Sequence, residues 1–266
     1  DEASLTITTN DQGYLGIGGA QEDSDTIAIE VTAVPAFADS PSWTTFPGAL
    51  DSSFGTDGMQ TLSVSEGTDF IHDMQQLADG KILAVGAVND HFGIMRFNSD
   101  LSLDTSFGTD GVTETDLGGG RHAWTMLVDD QDRIIVGGNR YLARYSADGV
   151  LDTTFGDEGT GSLDNTYVEQ IHGLAIQPDG KLLAMGRDNH HFRITRYLPD
   201  ASGIDPDFGE REWDIRGVDG DYGRGLTVRD DGDILLIGRA WHQAAFGLVR
   251  IDTYGDEEQQ FAYDLP

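Results

Sequence analysis

Histidine, tryptophan and arginine side chains make up the part of this sequence best suited to ligand binding. When four segments of the chain are aligned on a shared Asp-Gly turn, one position is occupied by His72, Trp124, His172 and Arg224. Such a group of side chains suits a small polar or anionic ligand, or a metal ion held by the imidazoles. The alternative is that the four side chains only pack between neighbouring segments, since they share strand parity with apolar residues.

The remaining histidines extend this candidate surface. The full set of predicted ligand-binding residues is His72, Trp124, His172, Arg224, His91, His190, His191, Trp241 and His242. Histidine hydrogen-bonds sugar hydroxyls, and a tryptophan ring offers a flat apolar platform for a sugar or an aromatic group. The alternative is that the histidines outside the aligned position are solvated loop residues without a role.

Catalytic motifs are not evident in the sequence. It contains no serine nucleophile elbow and no His-Glu-x-x-His motif, and the glycine-rich stretch at residues 13–19 lacks the lysine of a phosphate-binding loop. We therefore predict no catalytic residue. Because the 47 acidic residues always offer carboxylate pairs, a polysaccharide hydrolase or lyase stays open as an alternative.

The composition excludes several partners. The formal net charge of −31 opposes binding to nucleic acid or to an anionic membrane, because both need a basic protein surface. No run of about 18 apolar residues is present, so we predict no membrane insertion. The chain has no cysteine, which excludes disulfides and thiolate metal sites. Its aspartate-rich, lysine-poor surface fits a salty extracellular setting.

A repeated corner organises the chain. The stretch LDTSFGTDG begins at Leu103 and has copies beginning at Leu50, Leu151 and Ile204, with a worn copy, IDTYGDEE, at Ile251. The copies recur about every 50 residues, a period typical of repeat architectures. A feature present in every repeat is most simply structural. We therefore predict that each corner phenylalanine plugs the gap between repeats and that each corner aspartate caps its turn.

Each repeat also carries the signals of four short strands. A turn such as LADGK follows the first strand, and its Asp-Gly pair favours a tight primed turn. An apolar run ending in glycine indicates a second strand that is buried on both faces. The third strand ends in an arginine that we expect to pair with a corner acid, and a fourth strand follows the corner. These arginines are Arg96, Arg144, Arg196 and Arg250.

Four short strands in about 50 residues are typical of a β-propeller blade. We predict an all-β fold with about four such blades, in which the first strand of each blade lines the axis and the fourth is outermost. The segment Gly58–Ser65 has the character of an outer strand, which would close the ring or belong to a fifth, partial blade. Because strands alternate in direction, all seven histidines are expected on one face of the propeller, opposite the Asp-Gly turns.

Two family resemblances follow from these motifs. The corner, the Asp-Gly-Lys turn and the Arg-Tyr strand end resemble the delta-60 repeat, a β-propeller repeat of large bacterial proteins, over residues 47–266. The first 40 residues, with a Thr-Asn-Asp-x-Gly turn and a long alternating strand from Thr26 to Val34, resemble the end of a cadherin-like repeat of giant bacterial adhesins. We predict a β-hairpin from such a module at residues 1–40, a linker at 41–49 and propeller repeats at 50–266.

The resemblances also imply a setting and a cofactor. In the cadherin-like family, loop acids gather as hard oxygen ligands, so any calcium is predicted at Asp11, Asp23 and Asp25; the alternative is that Asp11 and Asp25 only cap turns. We expect a segment of a large secreted or cell-surface bacterial protein that begins inside a longer precursor and adjoins other domains of the same chain. The predicted role is non-enzymatic adhesion or scaffolding, with a glycan or surface protein bound on the histidine face. A self-assembling extracellular subunit is a further alternative.

Overall fold

The computed structural model describes residues 4–10, 22–28, 50–118, 121–156, 160–162, 170–187, 192–213, 222–240 and 245–263. Every regular element in these ranges is a β-strand, as the sequence predicted, and none of their residues forms a helix long and apolar enough to cross a membrane. The chain divides into two compact units, residues 1–61 and 62–266. The predicted boundaries near residues 40 and 49 stay predictions.

The first unit contains one antiparallel strand pair, β1 (Ser4–Asn10) and β2 (Glu22–Ala28), with Ser4 opposite Ala28 and Asn10 opposite Glu22. A β-hairpin was predicted here, but the second strand begins four residues earlier than Thr26. As a result Asp23 and Asp25, predicted in a loop, lie on a strand. The residues that join the two strands, 11–21 with Asp11, are outside the described residues.

The second unit contains four antiparallel sheets of four strands each, which we call blades one to four. Blade one consists of β3 (Phe70–Gln76), β4 (Ile82–Val88), β5 (His91–Phe97) and β6 (Val112–Thr115). Blade two consists of β7 (Ala123–Val128), β8 (Ile134–Gly138), β9 (Tyr141–Tyr145) and β10 (Thr160–Ser162). Blade three consists of β11 (Gln170–Ile176), β12 (Leu182–Arg187), β13 (Phe192–Tyr197) and β14 (Glu210–Trp213). Blade four consists of β15 (Tyr222–Val228), β16 (Ile234–Ala240), β17 (Ala245–Ile251) and β18 (Glu257–Tyr263).

The blades pack face to face through their first two strands. Strand β7 packs on β3 and β4, β11 on β7 and β8, and β15 on β11 and β12, so the first strands of successive blades are neighbours. Each interface buries its own apolar core; between blades one and two, for example, Leu83 and Ile94 pack with Val136 and Tyr145. Strand β8 is buried at all five positions, which confirms the prediction of second strands covered on both faces. These features confirm an all-β, β-propeller architecture.

The turns between the first two strands differ from the predicted primed type. In the turn Leu77–Lys81, the Gly80 N–H donates to the Leu77 carbonyl at 3.0 Å, and the Leu77 N–H donates to the Lys81 carbonyl at 2.8 Å. Only Gly80 has a positive φ, 86°, whereas a type I′ turn needs two such residues. The turn is therefore a type I turn followed by a glycine bulge at Gly80. The loop is one residue longer than a two-residue primed turn.

The repeated corners hold neighbouring blades together, as predicted. Phe107, Phe155 and Phe208 are fully buried between blades. Phe107 packs so closely on Gly149 of the next blade that a Cβ at Gly149 would come within 2.7 Å of the ring. Position 149 must therefore be glycine for the Phe107 ring to insert between the blades.

Each of these three corners also anchors an arginine. Arg96 Nε donates to Asp104 at 2.7 Å while its guanidinium lies 4.7 Å from the Phe107 ring centroid. Equivalent pairs join Arg144 to Asp152 and Arg196 to Asp205. The prediction fails for the fourth arginine: Arg250 Nε donates to Asp233 at 2.7 Å, and Asp233 occupies the place of Lys81 in the turn of its blade.

The worn copy of the corner at Ile251 is not a corner. The Asp252 N–H donates to the Asp256 carbonyl at 2.9 Å and the Gly255 N–H to the Asp252 carbonyl at 3.1 Å. The same two bonds occur at residues 146–150, in the turn that precedes the corner in blade two. In blade four the fourth strand therefore follows this turn directly, without a corner between them. Because it has no corner aspartate, its arginine pairs within the blade.

Two further findings concern the ends of the blade stack. The segment Gly58–Ser65, predicted as an outer strand, contains only an isolated bridge at Met59. Met74 on β3 is 67% exposed, while Met126 at the equivalent position of blade two is 7% exposed. Ile237 on β16 is 52% exposed, while its equivalent Met185 is fully buried. The outward faces of blades one and four thus expose apolar positions that the interior interfaces cover.

Candidate functional site

The four aligned residues share one unusual backbone position. The first strand of every blade has a β-bulge against the second strand, where the register shifts between residues 71 and 73, 123 and 125, 171 and 173, and 223 and 225. The extra residues at these bulges are His72, Trp124, His172 and Arg224. A bulge leaves one residue unpaired and redirects its side chain. The fold therefore points the aligned position of every blade in an equivalent way.

The bulged residues meet across the blade interfaces. The His72 and Trp124 rings stack with centroids 3.7 Å apart and planes inclined by 21°. The Trp124 and His172 rings meet edge to face with centroids 5.3 Å apart. The Trp124 indole N–H also donates to the side-chain oxygen of Asn139, which fixes the ring. Packing between blades, the alternative considered for these residues, is thus part of their role.

An open pocket lies at this row of side chains. It has a volume of about 360 Å³ and is lined by His72, Asp73, Trp124, Thr125, His172 and Arg224. The sequence predicted four of the six residues and missed Asp73 and Thr125. Their position in the sequence could have identified them, because each directly follows a bulged residue. The structure therefore gathers the aligned row into one concave site.

Asp73 is held by the protein itself. Its carboxylate accepts hydrogen bonds from the Met74 N–H at 2.8 Å, the Met126 N–H at 3.1 Å and the Thr125 hydroxyl at 3.3 Å. Two of these donors belong to blade two, so Asp73 ties blade one to its neighbour. A carboxylate with three donors is better suited to fixing the pocket wall than to proton transfer.

His172 is the least satisfied group in the site. Its Nε2 atom is buried without a hydrogen-bond partner among the described residues. Burial, followed by the positive charges of Arg224 and Arg187, lowers the pKa of His172 to about 4. Burial also lowers the pKa of His72, with a further contribution from His122. Both imidazoles are therefore neutral at pH 7 and present one donor and one acceptor nitrogen each.

Arg224 supplies positive charge at the exposed side of the pocket. It makes no ion pair in the part of the chain that the structure describes, although the protein has 47 acidic residues and 16 basic ones. A guanidinium offers several N–H donors in a planar fork that suits carboxylate, sulfate or phosphate groups. The groups left for a ligand are therefore the Arg224 guanidinium and the imidazoles of His72 and His172.

Other predicted site residues do not join this pocket. His91 lies at the start of β5, where Nδ1 is 2.5 Å from a Glu114 carboxylate oxygen and Nε2 is 3.7 Å from Asp116. The hydrogen bond with Glu114 raises the pKa of His91. His190, His191, Trp241 and His242 lie outside the described residues, so their placement stays a prediction.

The predicted metal ligands lie partly outside the described residues. Asp23 and Asp25 lie on β2 opposite Thr9 and Ile7, and Asp11 is outside the described residues. Within the described ranges, no group of three or more histidine or acidic side chains is arranged to hold a metal ion. Calcium binding by the first unit stays a prediction.

Comparison with known proteins agrees with the architecture. Residues 77–107 and 132–155 match the family described as "Domain of unknown function (DUF5122) beta-propeller". No curated protein matches the chain by sequence. The two matched segments cover parts of blades one and two, and they end at the corner phenylalanines Phe107 and Phe155.

Several solved structures are similar to the chain at low sequence identity. A protein of unknown function from Bacteroides caccae shares 14% identity with a TM-score of 0.42, and the match covers 64% of this chain and 53% of that one. The Dos1 propeller shares 15% identity with a TM-score of 0.46, over 75% of this chain and 48% of that one. A calcium-binding protein, regucalcin, from Agrobacterium tumefaciens shares 14% identity with a TM-score of 0.37, over 73% and 59%. The chain thus spans less than two thirds of each of these proteins.

Proposed function

We propose that this chain is a non-enzymatic, ligand-binding segment of a large extracellular or cell-surface bacterial protein, with a role in adhesion or scaffolding. The observation that carries the proposal is the pocket built from one bulged residue of each blade. Its lining is polar and aromatic, and two of its nitrogen-bearing groups, His172 Nε2 and the Arg224 guanidinium, have no partner among the described residues. Such groups are the usual means by which a concave site orients a ligand.

The chemistry of the pocket favours a small polar group with negative charge. Arg224 provides the charge, and the neutral imidazole of His172 can donate or accept one hydrogen bond. The Trp124 ring already contacts the imidazoles of His72 and His172, so it shapes the wall more than it serves as a free platform. An acidic sugar of a glycan, or an acidic side chain of a surface protein, fits this combination.

The test compares the two faces of the propeller. We expect His172→Ala with Arg224→Ala to abolish binding to an array of acidic and neutral glycans. Asp79→Ala with Asp179→Ala, which alters two Asp-Gly turns, should leave binding unchanged. Circular dichroism of both variants would confirm that they are folded. The proposal fails if the turn variant loses binding while the pocket variant keeps it.

The hydrolase or lyase alternative has less support from the pocket. Glycoside hydrolysis needs two carboxyl groups at the scissile bond. Asp73 is the one carboxylate among the six lining residues, and three donors already hold it. Binding is therefore the function that these residues support better.

A self-assembling subunit is a second candidate, and one observation favours it. Ile71 and Met74 on the outward face of blade one are 50% and 67% exposed, and Ile237 on the outward face of blade four is 52% exposed. Exposed apolar positions on a sheet face are typical of surfaces that associate. Sedimentation at increasing concentration tests this candidate, which predicts a mass that rises for the wild type and not for Ile71→Ser with Met74→Ser.

The proposal includes calcium binding only at the first unit. Asp23 and Asp25 lie two residues apart on β2, and Asp11 precedes them in the sequence. Carboxylate oxygens are the ligands that calcium prefers. Calorimetric titration with calcium should give heat with the wild type and little with Asp23→Ala plus Asp25→Ala. Equal heats would remove calcium from the proposal.

A further inference from the structure

The imidazole of His172 lies at the wall of the pocket with one ring nitrogen unpaired. His172 is the bulged residue of β11, and its ring meets the Trp124 ring edge to face with centroids 5.3 Å apart. Its Nε2 atom is buried and has no hydrogen-bond partner among the described residues. A proton placed on Nε2 therefore breaks no hydrogen bond in that part of the chain.

The strands packed on β11 surround His172 with positive charge. These strands are β7, β8, β12 and β15. Strands β7 and β8 carry no titratable residue, β12 carries Arg187, and β15 carries Arg224 and the phenol of Tyr222. A tyrosine phenol is ordinarily neutral at pH 7 and below. Within these described strands, the charges that act on His172 are therefore those of two arginines.

Strand β3 adds the remaining titratable groups of the pocket, His72 and Asp73. Asp73 is the one carboxylate among the six lining residues, and it already accepts three hydrogen bonds from neighbouring groups. Its negative charge is thus committed to the pocket wall. Among the lining residues, no second carboxylate is present to pair with a charged imidazole at His172.

These surroundings keep His172 neutral when no anion is bound. Burial is the largest cause, followed by the positive charges of Arg224 and Arg187 and by His72, and together they lower the pKa of His172 to about 4. An acidic ligand paired with Arg224 brings a negative charge to the same place. An opposite charge close by favours the charged form of a histidine, so such a ligand raises the pKa of His172.

On the basis of the ligand-binding function proposed above, we propose that this pocket binds an acidic ligand together with one proton, which the imidazole of His172 takes up from solvent. The imidazolium then adds its charge to that of the Arg224 guanidinium, while the covalent bonds of the ligand do not change. Because linkage between two bound species is reciprocal, the ligand and the proton strengthen each other's binding. The pocket therefore holds an anion such as the carboxylate of an acidic sugar more tightly in acid than at neutral pH.

Arg224 distinguishes His172 from the other imidazole of the pocket. The pKa of His72 is lowered by burial and then by His122, whereas Arg224 is the leading charge that acts on His172. An anion that neutralises Arg224 therefore removes the main repulsion from His172. We expect His172 to be the group that takes up the proton.

The test titrates the intact chain with trigalacturonate, an acidic trisaccharide, by calorimetry at about pH 7.5 and about pH 5 and at constant ionic strength. The affinity of the wild type should rise roughly tenfold at the lower pH, because the pairing of anion and imidazolium is gained as the pH falls through the raised pKa. Titrations in two buffers with different ionisation enthalpies should show uptake of about one proton per bound ligand at the lower pH and almost none at the higher. The fully methyl-esterified trisaccharide, which has the same sugars without their charges, should cause no uptake.

Two variants locate the proton. His172→Gln keeps a polar side chain that cannot be protonated, so its affinity should be the same at both pH values and its proton uptake should disappear. His91→Gln is the matched control, because it removes a histidine that lies outside the pocket beside Glu114. It should keep both the rise in affinity and the proton uptake of the wild type. Circular dichroism at the lower pH would confirm that both variants are folded.

The possible results have different consequences. Binding by the wild type with equal affinity at both pH values and no proton uptake would overturn the proton linkage and leave the ligand-binding function intact. Uptake that persists in His172→Gln would overturn the role of His172. No binding of the acidic trisaccharide at either pH would overturn the proposed ligand class and the linkage with it. If His172→Gln does not fold, the uptake measured for the wild type still decides whether the linkage exists.

Discussion

The imidazole of His72 stacks on the indole of Trp124 with ring centroids 3.7 Å apart, and the two residues belong to different blades. Each is the extra residue of a β-bulge in the first strand of its blade. The bulge therefore serves two purposes, because it joins neighbouring blades and turns polar side chains into the pocket. Substitutions in this row should therefore affect both stability and binding.

His172 should make the protein less stable in acid. Its pKa of about 4 in the folded protein lies below the ordinary value of 6.5, so the unfolded chain takes up a proton first. The stabilisation is complete above pH 6.5 and is lost as the pH falls towards 4. When the pH falls from 7 to 4.5, the unfolding free energy of the wild type should decrease by roughly 1–2 kcal/mol more than that of His172→Gln. This figure allows for solvent screening, because the imidazole is only half-buried. Urea denaturation at the two pH values measures this difference.

His91→Gln is the control for that experiment because its shift has the opposite sign. The hydrogen bond with Glu114 raises the pKa of His91, so its stabilisation is present below pH 6.5 and is lost as the pH rises through the raised value. This variant should therefore not reduce the loss of stability in acid. If His172→Gln and the wild type lose equal stability, the imidazole is not desolvated as described.

The corner phenylalanines should differ in their contribution to stability. Phe107 is fully buried between blades one and two, so Phe107→Ala should lower the unfolding free energy by roughly 3–5 kcal/mol. Phe54 belongs to the same motif but is half-buried, so Phe54→Ala should cost much less. Thermal denaturation of the two variants is the measurement. Similar losses would show that the first corner is buried to the same extent as the second.

The buried ion pair of blade three should be costly to break and cheaper to replace. Arg196 and Asp205 are 4% and 2% exposed, and Arg196 also donates to the Thr253 carbonyl of blade four at 2.6 Å. Arg196→Met leaves the buried Asp205 carboxylate with only Lys181 as a charged partner, 3.1 Å away, and should cost roughly 3–5 kcal/mol. Adding Asp205→Asn should recover part of that loss, whereas Arg229→Met, at an exposed pair, should have little effect. A double variant as unstable as the sum of its parts would contradict this coupling.

Equivalent methionines in blades one and two should respond differently to truncation. Met126 is 7% exposed in the core between the blades, so Met126→Ala should cost roughly 2–5 kcal/mol. Met74 is 67% exposed at the equivalent strand position, so Met74→Ala should change stability by less than about 0.5 kcal/mol. Chemical denaturation of the two variants tests the difference. A large loss at Met74 would mean that its face is covered in solution.

The sequence was sufficient for the blade and for the row of bulged residues, because both depend on signals that recur. Periodic apolar runs, Asp-Gly turns and the Phe-Gly corner recur with similar spacing, so aligning the repeats was enough to place His72, Trp124, His172 and Arg224 at one position. The same alignment wrongly identified a corner at Ile251. The letters of IDTYG resemble a corner, but the hydrogen bonds of Asp252 and Gly255 place the segment in the preceding turn.

What the sequence alone determined is therefore local: strand order, turn positions, buried strands and the residue types that face each interface. Only the tertiary structure decided which side chains meet, because contact between blades depends on bulges, partner choice and neighbours that sequence spacing does not specify. The β-bulges bring the predicted row of residues together in one pocket. Because blade four has no corner aspartate, Arg250 pairs with Asp233 instead. The first corner folds through its own local hydrogen bonds, whereas the contact of Asp104 with Arg96 depends on a neighbouring strand that the corner motif itself does not specify.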